Sequence, residues 1–169
     1  MDHDDDTDRD AGATAVPSDA APGSTELIEA APDAVFAVLT DPTTYPRWLV
    51  GAQHIRSVDE DWPAVGAKFH HAIGVGPAAV PGSTSVRRCS PDDELVLAAG
   101  MGPFGEAAVR FLLTATADGT LVEFRELPVK GPARIAWRVA RPFVSAALWG
   151  RNAVSLAGLS RVVRERTAS

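Results

Sequence analysis

Residues 31–48 read APDAVFAVLTDPTTYPRW, a stretch that carries two helix starts in quick succession. Pro32 suits a first helical position, and Asp33 in the first turn faces the positive end of the helix dipole. Val35, Phe36 and Leu39 recur at helical spacing and give this segment one apolar side. Asp41 is an N-cap residue by type, Pro42 again suits a first turn, and Pro46 discourages a long continuation past Tyr45. The stretch predicts a short helix, a second single turn, and a Trp48 delivered to the interior as a candidate gate residue.

Outward from that segment the pattern changes period. Residues 25–30 alternate weakly and read as a strand, and residues 54–59 read as another. From Ala67 on, strand-like alternation is broken by Gly74-Val75-Gly76-Pro77, Pro81-Gly82, Ser90-Pro91-Asp92-Asp93, Gly102-Pro103 and Asp118-Gly119. This punctuation predicts five more strands, at 68–73, 83–89, 95–100, 107–116 and 120–127, arranged as an antiparallel meander. Asp118-Gly119 is a strong two-residue hairpin signal, because its positive φ matches the strand twist. With Ala117 opposite Thr120, the residues Val109, Phe111, Leu113 and Ala115 share a face with Val122, Phe124 and Glu126. Arg110, Thr114, Glu123 and Arg125 take the other face. Residues 141–166 place Val144, Leu148, Asn152, Leu156, Leu159 and Val163 at steps of three and four, one stripe of a long helix. Pro142 belongs at its start or kinks it, so any helix within 133–140 is separate or bent. Gly150 weakens its middle slightly.

The chain has 169 residues and 46% hydrophobic content, which suits one domain with a sizeable core. Seven of its 22 acidic residues and one of its 16 basic residues fall within residues 1–24, leaving 15 of each sign beyond. The neutral remainder lacks the basic footprint that nucleic-acid binding requires. Residues 1–24 are expected to form a disordered acidic tail and residues 25–166 the folded domain. His3 among the aspartates is not expected to hold a metal, because an unfolded tail would bear the whole ordering entropy. The acidic start does not resemble a signal peptide, no segment offers ~20 uninterrupted apolar residues, and the lone Cys89 can form no internal disulfide. A cytoplasmic protein without an integral membrane segment is expected. Its oligomeric state is not legible.

A strand, two short helices, six further antiparallel strands and a long C-terminal helix is the order of the α+β helix-grip fold. In Ala31-Pro32 with Val35-Phe36, Asp41-Pro42 with Tyr45-Pro46 and Trp48, Val65-Gly66-Ala67, Gly119-Thr120-Leu121-Val122, and Arg151-Asn152 with Leu156 and Leu159, the sequence resembles the START-like (SRPBCC) superfamily. The likeness is greatest to bacterial polyketide cyclase/dehydrase-like members and spans about residues 25–164. It implies the START and birch-pollen-allergen architecture: a curved seven-stranded antiparallel sheet wrapped around the C-terminal helix, with two short helices between strands 1 and 2. It also implies a hydrophobic cavity for a lipid, polyketide, isoprenoid or similar molecule. Members include carriers and aromatase/cyclases, so the resemblance carries over no catalytic motif and implies no cofactor.

Gly100-Met101-Gly102-Pro103-Phe104-Gly105 matches the G-x-G-x-x-G spacing of dinucleotide sites, with Glu123 and Glu126 about twenty residues on. Phosphate binding by that motif needs a helix immediately afterwards, whereas the surrounding pattern is strands in succession, so these glycines read as a hairpin loop. His70 and His71 point to opposite faces of a strand and cannot chelate one metal together, so no metal site is expected. His71 shares parity with Phe69 and Ile73 and faces the cavity, as a rim or core histidine or as a base. Cys89 reads as an ordinary strand residue.

Glu126 shares a face with Phe111 and Phe124, where a carboxylate must be paired or protonated. Arg88 or another inward base would pair it; otherwise it becomes a general acid or base for aldol cyclisation or dehydration. Asn152 interrupts the apolar helix stripe and needs a partner, with Glu126, a ligand or a loop carbonyl as candidates. Arg151 is expected at the rim. Of the four tryptophans, at positions 48, 62, 137 and 149, Trp149 is expected at the cavity edge or the sheet's end.

The expected cavity lining comprises Trp48, Phe69, His71, Leu97, Phe111 and Leu113 from the first helices and the sheet. Phe124 and Glu126 join it from the last strand, and Leu148, Trp149 and Asn152 from the long helix. The candidate catalytic set is Glu126, His71 and Asn152. Three readings follow: a binding or transport protein for a small hydrophobic ligand, a polyketide aromatase/cyclase, and a partner-binding module without a ligand that uses its acidic tail.

Overall fold

The computed structural model describes residues 16–18, 21–74 and 76–168, so the aspartates at positions 2 to 10 and 19, and with them most of the expected tail, lie outside the described residues. Seven strands form one antiparallel sheet: β1 (Gly23–Ile28), β2 (Ala52–Val58), β3 (Lys68–Ile73), β4 (Val80–Ser90), β5 (Glu94–Gly100), β6 (Glu106–Thr116) and β7 (Gly119–Lys130). Their order is β1-β7-β6-β5-β4-β3-β2, so the first strand closes against the last. Between β1 and β2 lie α1 (Pro32–Leu39), a 3-10 turn (Pro42–Thr44) and α2 (Tyr45–Trp48). After β7 come α3 (Gly131–Val139) and the long α4 (Arg141–Thr167). This is the helix-grip architecture, a curved sheet holding α4 against its inner face.

The opening segment folds for the reasons its sequence gives. Pro32 and Asp33 start α1, and the Asp41 carboxylate accepts from the Thr43 N–H at 3.0 Å. Pro46 lies in the first turn of α2, where its missing N–H costs nothing. The buried Tyr45 donates its hydroxyl to the Leu39 carbonyl at 2.8 Å, and the Trp48 indole donates to Thr44 Oγ1 at 3.1 Å. Both rings join the core, Tyr45 edge-on to Phe69 at 5.1 Å and Trp48 edge-on to Phe111 at 6.0 Å.

Several boundaries differ from expectation: β2 starts at Ala52, β4 starts at Val80 and so runs through the expected Pro81-Gly82 break, and β7 continues to Lys130. β1 starts at Gly23, inside the stretch assigned to the tail, because its ladder runs from Gly23 opposite Arg125 to Ile28 opposite Thr120. The β6–β7 hairpin turns on Ala117-Asp118, with Thr116 opposite Gly119, a register two residues away from the expected one. Gly119 takes its positive φ as the first residue of β7, where a Cβ would lie 2.2 Å from the Ile28 carbonyl oxygen of the neighbouring strand. A two-residue slip preserves parity, so every residue keeps its expected face. Along β7 burial alternates through Thr120, Val122, Phe124 and Glu126 on the inner side.

Ala140 breaks the helical path between α3 and α4, and Pro142 lies in the first turn of α4. The α4 stripe is not uniform. Asn152, Ser155, Leu156, Leu159, Ser160, Val162 and Val163 are buried, whereas no residue before Asn152 is, and Val144 and Leu148 are only half-buried. Gly158 lets the buried half approach α2 closely: a Cβ there would lie 3.0 Å from the Trp48 backbone.

Candidate functional site

A partly enclosed chamber of about 40 Å³ lies between the inner sheet face and the helices. Its walls follow strand parity. Phe69, His71 and Ile73 come from β3, Thr84 from β4, Leu97 and Ala99 from β5, Val109 and Phe111 from β6, and Phe124 and Glu126 from β7. Tyr45, Leu49, Ala52, Met101 and Arg151 complete the lining. Phe111 and Phe124 are directly opposite in the β6–β7 ladder, and their rings lie 4.5 Å apart. The result is an apolar space with two polar stations.

The first station is His71. Its Nε2 lies 3.1 Å from Thr84 Oγ1, while Nδ1 is buried without a hydrogen-bond partner among the described residues. Burial holds the imidazole below its ordinary pKa of 6.5; a weaker upward pull from the Ala72 backbone and a downward one from His70 follow. The ring is therefore neutral at pH 7. Gly82 stands opposite His71 in the ladder, and a Cβ there would lie 2.9 Å from the ring's Cε1. The bare backbone at this position makes room for the imidazole.

The second station joins β7 to α4. Arg151 Nη1 donates to Glu126 Oε2 at 2.5 Å, and Arg151 Nε donates to the Val50 carbonyl at 3.1 Å. The Asn152 side chain, fully buried beside them, satisfies its surroundings when its nitrogen donates to Glu126 Oε2 and to the Leu148 carbonyl, both at 3.3 Å. Glu126 thus has its charge partner from the helix. Arg88, the expected partner, instead donates to Glu94 at 3.0 Å on the outer face. Arg151, expected at the rim, turns inward because its neighbour Asn152 faces the sheet and the long side chain can follow it.

Among the residues expected in the lining, the structure brings together Phe69, His71, Leu97, Phe111, Phe124 and Glu126, with Asn152 against Glu126. It does not bring in four others. Trp48 is a core residue behind the chamber and no gate, since its indole is committed to Thr44 and Phe111. Leu113 is buried opposite Val122, nearer the hairpin. Leu148 is half-buried and Trp149 is 60% exposed, and neither lines the chamber. The Trp149 carbonyl accepts from the Ser24 hydroxyl at 2.9 Å. The exposed start of α4 explains both misplacements.

Sequence reasoning passed over Arg151 as an inward group, and Thr84, Tyr45 and Met101 as lining residues. Parity within residues 83–89 could have paired Thr84 with Phe69, but the irregular β3–β4 connection hides that register. Gly100 to Gly105 form the expected hairpin loop, a 3-10 turn at Gly102–Phe104 followed by β6 in place of a helix. Cys89 is half-buried, its thiol pushed up by that burial.

The fold is similar to that of protein NE0264 from Nitrosomonas europaea, with a TM-score of 0.65 and 16% identity over 87% of this chain and 96% of that one. It is similar to the di-domain ARO/CYC StfQ from the steffimycin biosynthetic pathway, with a TM-score of 0.67 and 16% identity over 87% of this chain and 52% of that one. DynU16, a putative protein in the dynemicin biosynthetic locus, matches with a TM-score of 0.58 and 22% identity over 88% of this chain and 48% of that one. No curated protein matches the chain. The sequence profile of polyketide cyclase / dehydrase and lipid transport proteins matches residues 24–164. With that profile covering most of its length and the helix-grip fold beneath it, the chain belongs to the polyketide cyclase / dehydrase and lipid transport family.

Proposed function

We propose that the protein binds a small hydrophobic molecule bearing a polar group, in the chamber between the sheet and α4. The observation that carries this reading is the chamber's composition: apolar walls with a neutral, half-satisfied His71 and the Glu126–Arg151 pair as its polar stations. A site of that kind takes up an apolar body by burial and orients it through a few fixed polar contacts. At about 40 Å³ the chamber has room for only a few water molecules, so a lipid, polyketide or isoprenoid enters by displacing part of the cover. Arg151 is the α4 residue in the lining, and the ten α4 residues before it, none of them buried, are the part to move with it.

Purification from cells, solvent extraction and mass spectrometry should recover an apolar compound. Ala99→Phe, which fills the chamber, should abolish its recovery. A wild-type protein that carries nothing and binds nothing across a broad panel of lipids, polyketides and isoprenoids would refute the reading.

A second reading is an aromatase/cyclase-type enzyme, favoured by the partnerless His71 Nδ1 within an apolar chamber. A neutral imidazole nitrogen there can take a proton from the carbon beside a ketone, with the Arg151 guanidinium donating to the developing enolate oxygen. The likeness to StfQ and DynU16 supports testing polyketide substrates. Cyclisation of a polyketide analogue by the wild type that is lost in His71→Ala and lowered in Glu126→Gln would establish it. Turnover unchanged in both variants would exclude these residues.

A further inference from the structure

We propose that the elbow formed by α3 and the first turns of α4 is a docking surface for the headgroup region of an anionic lipid bilayer. Ile135, Val139 and Phe143 follow one another at steps of four across the Ala140 break and are 64%, 82% and 80% exposed. Phe104, 57% exposed, stands on the turn beside the start of α3, where Gly105 and Gly131 meet backbone to backbone. Such a run of large apolar side chains left in water marks an interaction surface.

Charge indicates what the surface meets. Residues 127–164 contain seven basic residues and no acidic one, although residues 25–169 as a whole are balanced in charge. Of the seven, Arg151 is held by Glu126 and Arg161 by the Arg47 carbonyl, while Lys130 lies 3.4 Å from Glu106. Arg164 lies toward the far end of α4, and Arg134, Arg138 and Arg141 are interleaved in sequence with Ile135, Val139 and Phe143, the Arg141 guanidinium over the Trp137 ring at 5.4 Å. An acidic protein would satisfy the charge, but its interface would also need hydrogen-bonding side chains around the apolar centre. Residues 131–144 supply none except the three arginines and the Trp137 indole. Arginine with Trp, Phe, Ile and Val, and no other polar side chain, is the composition of a helix lying in the headgroup plane.

No helix among the described residues is long and apolar enough to cross a membrane, so the contact is peripheral. It is also independent of whatever the chamber holds. The same elbow leads along α4 to Arg151 in the chamber's lining, so docking there would place that end of the helix against a source or sink of apolar molecules.

Co-sedimentation of the full chain with phosphatidylcholine vesicles, with and without phosphatidylglycerol, tests the proposal. The protein should pellet only with the anionic vesicles, and less as salt is raised. Val139→Ser with Phe143→Ser should release it, with the melting temperature unchanged because both side chains are largely in water already. Arg138→Gln with Arg141→Gln should weaken partitioning about thirtyfold, and this pair tests the proposal even if the first pair alters folding. Ala99→Phe should leave vesicle binding intact, which separates this proposal from the ligand reading. Protein that stays in solution with every vesicle, or binding that both double variants leave unchanged, overturns it.

Discussion

Two buried carboxylates, one on each face of the sheet, are each paired with arginine, yet they are built for different purposes. Glu94 lies on the outer face, between Arg88 of β4 and Arg110 of β6, with contacts of 3.0 and 2.6 Å. Both arginines stand opposite Val96 in the ladders flanking β5, so their stems cover that fully buried valine while their heads reach Glu94. Three adjacent strands are tied together by one carboxylate. Glu126 lies on the inner face and has a single arginine, which comes from α4 and opens onto the chamber. The first arrangement is closed by the sheet itself. The second spans two elements that can separate, and a ligand can compete for its groups.

The largest effect should follow from breaking the outer clamp. Glu94→Ala leaves Arg110 partly buried beside Arg88 and should lower stability by about 3 kcal/mol, read from urea unfolding at pH 7. Burial alone would raise the Glu94 carboxyl, but its hydrogen bonds to Arg88 and Arg110 outweigh that and hold it below 4.5. A depressed carboxyl contributes stability above its unfolded pKa and loses it as pH falls through the folded value. The gap between wild type and Glu94→Ala should therefore be full at pH 7 and close below pH 4.5. A gap independent of pH would show that packing, not charge, makes the clamp.

On the inner face, Gly82→Ala comes next. Its Cβ would lie 2.5 Å from the Gly100 carbonyl oxygen and 2.9 Å from the His71 ring, so the ring or the strand must shift at a cost of about 2 kcal/mol. A melting curve identical to wild type would mean that the His71 ring is not held against β4. Glu126→Gln should cost less, about 1 kcal/mol, because the amide oxygen still accepts from Arg151. If it costs as much as Glu94→Ala, the two carboxylates are the same kind of clamp and the contrast between the faces fails.

How far these sites were legible depends on the distance over which each is set. Strand parity is local, so residues 107–127 placed Glu126, Phe111 and Phe124 on the inner face despite a two-residue error in the turn. The end of α1 and the turn at Asp41 were equally local. Arg151 was not legible, because a helix stripe gives a face but not how far a long side chain at its edge bends. Trp149 was misplaced for the opposite reason: the apolar spacing of α4 continues upstream of Asn152, but the burial of the helix does not. Glu94 was never singled out, since its pairing needs the β4–β5–β6 registers together, and β4 contains an irregularity between Val86 and Arg88.

The smallest effect, and the finest test of the contrast, belongs to His71. Burial holds its pKa below 6.5, so the unfolded chain takes up a proton that the folded chain resists. Stability should be fully present above pH 6.5 and decline below it until the folded imidazole itself titrates, a window lying above that of Glu94. His71→Asn should remove the decline between pH 6.5 and the carboxylate range while leaving the Glu94 phase intact, as followed by urea midpoints at stepped pH. A bound ligand that accepts a hydrogen bond from Nδ1 would favour the protonated ring and shift the window upward. If wild type and His71→Asn decline together, the imidazole is hydrated inside the chamber, and the inner face lacks the dry polar station that sets it apart from the outer one.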